Sequence, residues 1–218
     1  MDLHDLITND CKPLEPEDST THAHALFEAS RLSHLPVVAD KTYLGALAEE
    51  TAFTARKKRV IDYQAHWEKE RFINVEKNVL DAVQAITRFG GDLLPLLNDE
   101  HQYLGYLTTG DLIQQFSSWP IFQELGVVIV IETTVKRYSM SQIANIVESQ
   151  NARILGCFIS NYHGDKVTIT LKINSENPSS LADHFARFGY EIKKKFYFDM
   201  GDDVLREHYL SLIKYLDI

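Results

Sequence analysis

The sequence predicts a mixed α/β (α+β) protein: a duplicated unit, then a unit of order β-α-β-β-α-β, then a terminal helix. Three observations carry this prediction. A strand–turn–strand motif occurs twice, about 60 positions apart. The run Ser117-Ser118-Trp119-Pro120 breaks the pattern and reads as a boundary. Beyond it, short apolar strands alternate with two amphipathic helical runs.

In the first half, Leu35-Pro36-Val37-Val38 and Tyr43-Leu44-Gly45-Ala46-Leu47 return as Leu94-Pro95-Leu96-Leu97 and Tyr103-Leu104-Gly105-Tyr106-Leu107. Each copy spells an apolar strand, a polar turn and a second apolar strand, which is a hairpin. Upstream, Ala23, Leu26 and Phe27 follow helical spacing behind Ser19-Thr20-Thr21. Val79, Ala82, Val83, Ile86 and Phe89 do so in the second copy, where Gly90 is a C-terminal stop. A further helix begins near Glu49 and near Thr109. Each copy therefore reads strand, helix, strand, strand, helix. Alone it buries too little surface, so the two copies are expected to share a core.

From Gly126 the pattern changes. Val127 to Thr133 reads as a strand apolar on both faces. Ser139 with Gln142 three residues on spells a capping box, and Met140, Ile143, Ala144, Ile146 and Val147 form the stripe of the helix that follows. Arg153 to Ser160 is the next strand. Val167 to Ile173 alternates strictly, putting Thr168, Thr170 and Lys172 on a polar face. Asn177-Pro178 opens a helix lined by Leu181, Phe185 and Phe188 and ended by Gly189. Glu191 to Phe198 is the last strand. This order is the ferredoxin-like one. Asp203 to Leu216 reads as an amphipathic helix. The expected boundaries are 1–60, 61–120, 126–198 and 199–218.

Composition narrows the function classes. The chain has 218 residues, 44% apolar and 24% charged, which excludes a mainly disordered, collagen-like or disulfide-dense protein. A net charge of −9 opposes binding to a phosphate backbone, so no nucleic-acid partner is expected. Cys11 and Cys157 are too few for a disulfide framework and too far apart for a local metal knuckle, which fits a reduced compartment. Residues 1–10 hold no apolar signal core, and the longest apolar run, Val127 to Ile131, is far too short to span a membrane. A cytoplasmic location without membrane contact is expected.

The two repeats resemble a tandem pair of cystathionine-β-synthase-type (CBS) domains. The marks are Leu-Pro-Val-Val, Leu-Pro-Leu-Leu and Leu104-Gly-Tyr-Leu-Thr-Thr-Gly-Asp111. Residues 126–198 resemble an ACT-type small-molecule-binding domain, by element order more than by motif. The resemblance implies a regulatory ligand sensor. CBS pairs typically bind AMP, ADP, ATP or S-adenosylmethionine in clefts between the copies, ACT domains bind amino acids, and both tend to dimerise. A homodimer and a protein target are therefore the implied partners. No cofactor is implied; a nucleotide would be a regulatory ligand.

Thr108 and Asp111 are the sharpest candidates. In the family they hold a ribose, whose adjacent hydroxyls need a charged acceptor. The same Thr-x-x-Asp spacing at a helix start also spells a capping box, and one pair can serve both roles. The first copy departs from the pattern, with Ala48 for the threonine and Thr51 for the aspartate. At most one competent cleft is expected. The resemblance implies that Leu93, Leu94 and Pro95 line the adenine slot and that Ile73-Asn74-Val75 crosses it.

Other features have two readings. Arg56-Lys57-Lys58-Arg59 can reach phosphates or be a solvated linker face. Gly90-Gly91-Asp92 can approach a phosphate or be a turn. The turn Lys136-Arg137-Tyr138-Ser139 lacks the glycine that amino-acid-binding ACT domains often carry. His22-x-His24 lacks metal-ligand spacing. With no nucleophile elbow, P-loop or dinucleotide fingerprint, catalysis is not expected. The function implied is a non-enzymatic sensor binding an adenosine nucleotide. The alternatives are a dimerising interaction module with a vestigial cleft, and an amino-acid sensor working through the second unit.

Overall fold

Both apolar-Pro-apolar runs form the first strand of a hairpin. β1 (His34–Ala39) pairs antiparallel with β2 (Thr42–Ala48). β3 (Ile73–Asn74) lies parallel to β4 (Leu93–Leu97), which pairs antiparallel with β5 (Tyr103–Thr108). The two hairpins share a register shift at the same place, between Val37 and Val38 and between Leu96 and Leu97. In the first copy the entering strand shrinks to one parallel bridge, Leu14 to Val37. The computed structural model describes residues 2–54, 57–175 and 178–197. The chain divides into two units, Met1–Ser117 and Ser118–Ile218.

The helices of the first unit start and stop where their caps dictate. α1 (Thr20–Ser30) is capped by the Ser19 hydroxyl, which accepts from the His22 N–H at 3.1 Å. α3 (Val79–Phe89) opens on a full capping box. The Asn78 side chain accepts from the Leu80 and Asp81 N–H groups, and the Asp81 carboxylate accepts from the Asn78 N–H. Gly90 ends it at φ +70°. α2 (Glu49–Thr54) and α4 (Thr109–Ser117) follow the two hairpins.

Each copy's entry segment packs on the other copy. Leu3, Leu6 and Ile7 join the second copy's core of Val79, Leu94, Leu96 and Leu107. Val60, Tyr63 and Trp67 join the first copy's core of Phe27, Leu35, Val37 and Leu47. The exchange is symmetric: Thr8 bridges Tyr106, and 60 positions on Glu68 bridges Ala46. It depends on two glycines. At Gly105 (φ +151°) a Cβ would stand 2.8 Å from the Thr8 carbonyl oxygen, and at Gly45 (φ +149°) 2.8 Å from the Trp67 Cβ.

In the second unit, α5 (Pro120–Gln123) precedes β6 (Val127–Thr134), α6 (Met140–Glu148), β7 (Arg153–His163), β8 (Lys166–Asn174), α7 (Pro178–Arg187) and β9 (Glu191–Tyr197). The antiparallel sheet has the order β7-β8-β6-β9, the ferredoxin-like topology. β6 is not apolar-buried on both faces. Its residues alternate buried and half-buried, because helices cover one face, where Ile129, Ile131, Ile169, Leu171, Ile143, Val147 and Phe185 pack. Met140 is 41% exposed and Phe188 50%, so neither belongs to the buried stripe expected of it. Ser139 caps α6 through the Gln142 N–H. Lys172, expected on a polar face, is buried. It pairs in register with Gly156, over which Ile121 of α5 packs. Asn177, Phe198 and the helix expected over 203–216 lie outside the described residues.

Candidate functional site

β5 runs into α4, and this junction positions Thr108 and Asp111. The Asp111 Oδ2 accepts from the Thr108 N–H at 2.7 Å and from the Thr108 hydroxyl at 2.8 Å. The Asp111 N–H donates back to the Thr108 Oγ1 at 3.1 Å. The pair is therefore a reciprocal helix cap. Among the described residues, nothing donates a hydrogen bond to Oδ1. Both side chains are half-buried on the wall of a cleft of about 620 Å³, a volume in the range of small-molecule sites.

The opposite wall is the first copy's entry segment, Thr8 to Lys12. The floor is one face of α1, where His22, Leu26, Ala29 and Ser30 follow helical spacing, together with Leu32 and Tyr106. Tyr106 is buried, and its hydroxyl oxygen accepts from the Cys11 N–H at 3.2 Å. Burial pushes the pKa of that hydroxyl up, so it stays protonated. Burial also raises the Cys11 thiol, which donates to the Lys12 carbonyl at 3.6 Å. The charged groups lining the cleft are Asp10, Asp111 and Lys12, with the His22 side chain beside them.

The expected set is only partly brought together. Thr108 and Asp111 meet, but Asn74, Leu93, Leu94 and Pro95 do not line the cleft. Leu93 pairs with Thr108 at one end of β4, and Asn74 pairs with Leu97 at the other. Asn74 donates instead to the Asp99 carboxylate at 2.7 Å. Leu93, Leu94 and Pro95 are buried within β4, the first strand of the hairpin. The physical reason is the exchange of entry segments. The segment crossing the second hairpin belongs to the first copy, and the Thr8–Tyr106 bridge that puts it there leaves no local signal in the sequence.

The remaining candidates resolve into structural roles. Lys57 donates to the Asp62 carbonyl and sits 5.6 Å from the Tyr63 ring, and Arg59 pairs with Glu17 at 2.7 Å. Neither they nor Lys58 line the cleft, and Arg56 lies outside the described residues. Asp92 accepts from the Ser33 N–H at 2.9 Å and from its hydroxyl at 2.5 Å, which ties the two copies together. His24 stacks on Phe53 at 4.1 Å, away from His22. Tyr138 packs against the core of the second unit.

Sequence reasoning missed Arg71. It is 2% exposed, and its Nη2 donates to the Phe89 carbonyl at 2.7 Å, its Nη1 to the Gly90 carbonyl at 2.6 Å. Its Nε donates to the Glu68 carboxylate at 2.6 Å. Glu68 in turn meets the His34 Nε2 at 3.2 Å. Burial alone would raise the Glu68 carboxyl, but the hydrogen bond from Arg71 and the neighbouring charges outweigh it and hold it below the usual range. Burial, then the Arg71 charge, lowers His34 against the opposing pull of Glu68.

A family model described as CBS domain matches residues 3–56, the stretch that supplies the entry-segment wall and α1 floor of the cleft. No curated protein matches the chain. Among solved structures, a CBS domain pair/ACT domain protein from Thermotoga maritima is 14% identical at a TM-score of 0.48, over 53% of this chain and 96% of that one. The CBS domains of a transcriptional regulator from Streptococcus pneumoniae are 17% identical at 0.47, over 52% and 98%. CBSX2 in complex with AMP, a CBS-pair protein of Arabidopsis thaliana, is 18% identical at 0.46, over 53% and 95%.

Proposed function

We propose that the chain is a non-enzymatic regulatory sensor. It binds an adenosine nucleotide (AMP, ADP, ATP or S-adenosylmethionine) in the cleft between the first copy's entry segment and the second copy's β5–α4 junction. One observation carries this reading: the Asp111 carboxylate uses Oδ2 for its helix cap, and Oδ1, at the wall of an open cleft, accepts no hydrogen bond among the described residues. A ribose diol presents two donors to such an acceptor. Leu26, Ala29, Leu32 and Tyr106 offer an apolar bed to a flat base. The match of residues 3–56 to a CBS domain supports the same reading.

The ligand touches both copies and so biases their relative pose, provided it binds one pose better than the other. The βαββαβ unit, which resembles an ACT domain, or a partner protein transmits the change. A thermal-shift panel of the four ligands on wild type and Asp111→Ala tests this. Stabilisation confined to the wild type is expected. A ligand at a hundred times its dissociation constant adds about 2.7 kcal/mol. No stabilisation by any of the four refutes the reading. It would favour the rival suggested by the mutual capping of Thr108 and Asp111: an interaction module whose cleft is vestigial.

A further inference from the structure

We propose that the protein carries its own occupant in the cleft of the first repeat. The Arg71 guanidinium fills the place that stays open in the other copy, so each chain has one ligand site and one permanently locked site. The equivalence of the two places follows from the fold. Thr8 and Tyr106 bridge as Glu68 and Ala46 do, and Leu14 lies on Val37 as Ile73 lies on Leu96. The walls of the open cleft, residues 8–12, α1 and Tyr106 to Asp111, therefore correspond to residues 68–72, α3 and Ala46 to Thr51.

Within that second set stands Arg71, where the first copy has Cys11 and Lys12. Its donors reach Phe89, Gly90 and Glu68, and a longer contact of 3.5 Å reaches the Leu93 carbonyl. The Phe89 ring centroid lies 5.7 Å from the guanidinium carbon. Phe89 and Gly90 end α3, so the cation sits against the negative end of a helix dipole, whose last carbonyls need donors. A charge this deeply buried persists only when paired and hydrogen-bonded, and here Glu68 supplies the pair. In the open cleft the Cys11 side chain is short: it donates to the Lys12 carbonyl and meets the Ser30 hydroxyl at the end of α1, but carries no charge to fill the space. The locked copy has also lost both ribose-binding residue types, to Ala48 and Thr51. An occupied cleft has no use for them.

The test uses methylguanidinium as the probe. Arg71→Ala leaves a cavity shaped for a guanidinium. Methylguanidinium in the millimolar range is expected to raise the melting temperature of this variant saturably, or to restore its fold if the variant is unfolded alone. It should do so neither for wild type nor for Arg153→Ala, which removes a surface arginine. Arg71→Gln keeps a planar two-donor group and supplies a folded but weakened background in which the rescue should be smaller. Absence of saturable rescue in both Arg71 variants overturns the proposal. Isothermal titration of wild type with AMP is a second arm, resting on the nucleotide reading. One site per chain is expected, and two sites per chain overturn the lock. No AMP binding counts against the nucleotide reading alone, because the methylguanidinium arm decides the lock without any nucleotide.

Discussion

Asp111→Asn separates the two roles that one carboxylate is asked to play. The amide oxygen has two lone pairs and can accept both bonds now made to Oδ2, from the Thr108 N–H and hydroxyl. What the variant loses at the cap is charge near the start of α4, worth about 0.3–1 kcal/mol. For a unit of this size that is a fall of about 2–6 °C in melting temperature. At the ligand the change is larger. Oδ1 becomes an NH₂ group, and a donor then faces the ribose donors. Losing charge-assisted bonds of about 1.5–3 kcal/mol each predicts a net loss of about 3 kcal/mol. That is roughly 150-fold in affinity, at tenfold for every 1.4 kcal/mol. Thermal unfolding without ligand and calorimetric titration with the ligand selected by the panel read the two effects separately. An Asp111→Asn protein that keeps its affinity within about threefold while losing stability would make Asp111 a helix cap and nothing more, and the ribose argument would fail.

Other consequences can be checked independently. Gly105→Ala should destabilise the protein by about 2–3 kcal/mol, since it adds strain at φ +151° to a contact with the Thr8 backbone oxygen, and it should weaken ligand binding by displacing the entry segment. Gly90→Ala, with nothing within 4 Å of the added carbon, meets only the backbone strain of φ +70° and ψ −177°, about 1–3 kcal/mol, and should leave binding unchanged; an equal loss of binding in the two variants would discredit the exchanged-segment account. Acid should destabilise the first unit in two stages. His34 is held below its usual 6.5, so the unfolded chain takes the proton first and stability falls as pH drops through 6.5 towards the lower folded value. Glu68 is held below its usual 4.5, so its contribution is complete above 4.5 and disappears as pH falls through its lower folded value. His34→Gln should remove the upper stage and keep the lower, and a urea midpoint that rises between pH 7 and 5.5 in wild type would contradict the assignment. Cys11→Arg should place a second guanidinium in the open cleft and abolish nucleotide binding in a folded protein. Retained binding would mean that the two copies are not equivalent there.

Local pattern made the elements legible, because each is fixed by residues close in sequence. The Pro and Gly of each hairpin, Ser19 and Asn78 at the helix starts and Gly90 at a helix end all act within a few positions of themselves. So does the alternation of Val167 to Ile173, which put Val167, Ile169, Leu171 and Ile173 on the helix-covered face and failed at the buried Lys172. The Thr108–Asp111 pair was legible for the same reason, since three positions separate its members. The partner wall was not. Which segment crosses β5 depends on a contact between Thr8 and Tyr106 that spans nearly the whole unit, and periodicity carries no information about it. A hairpin glycine forced to φ +151° by a neighbouring backbone looks, in sequence, like any turn glycine. Arg71 was hidden more deeply. A lone arginine after Glu68-Lys69-Glu70 reads as part of a solvated charge run, and its burial follows only once the exchange carries residues 68–72 across the first hairpin to the end of α3. The same exchange that conceals the site builds it. On the reading proposed above, a ligand bridging Asp111 to the Thr8–Lys12 segment touches both copies and acts on their relative pose. In the proposal of a locked first cleft, Arg71, held between Glu68 and the carbonyls of Phe89 and Gly90, supplies the fixed side against which the open cleft moves.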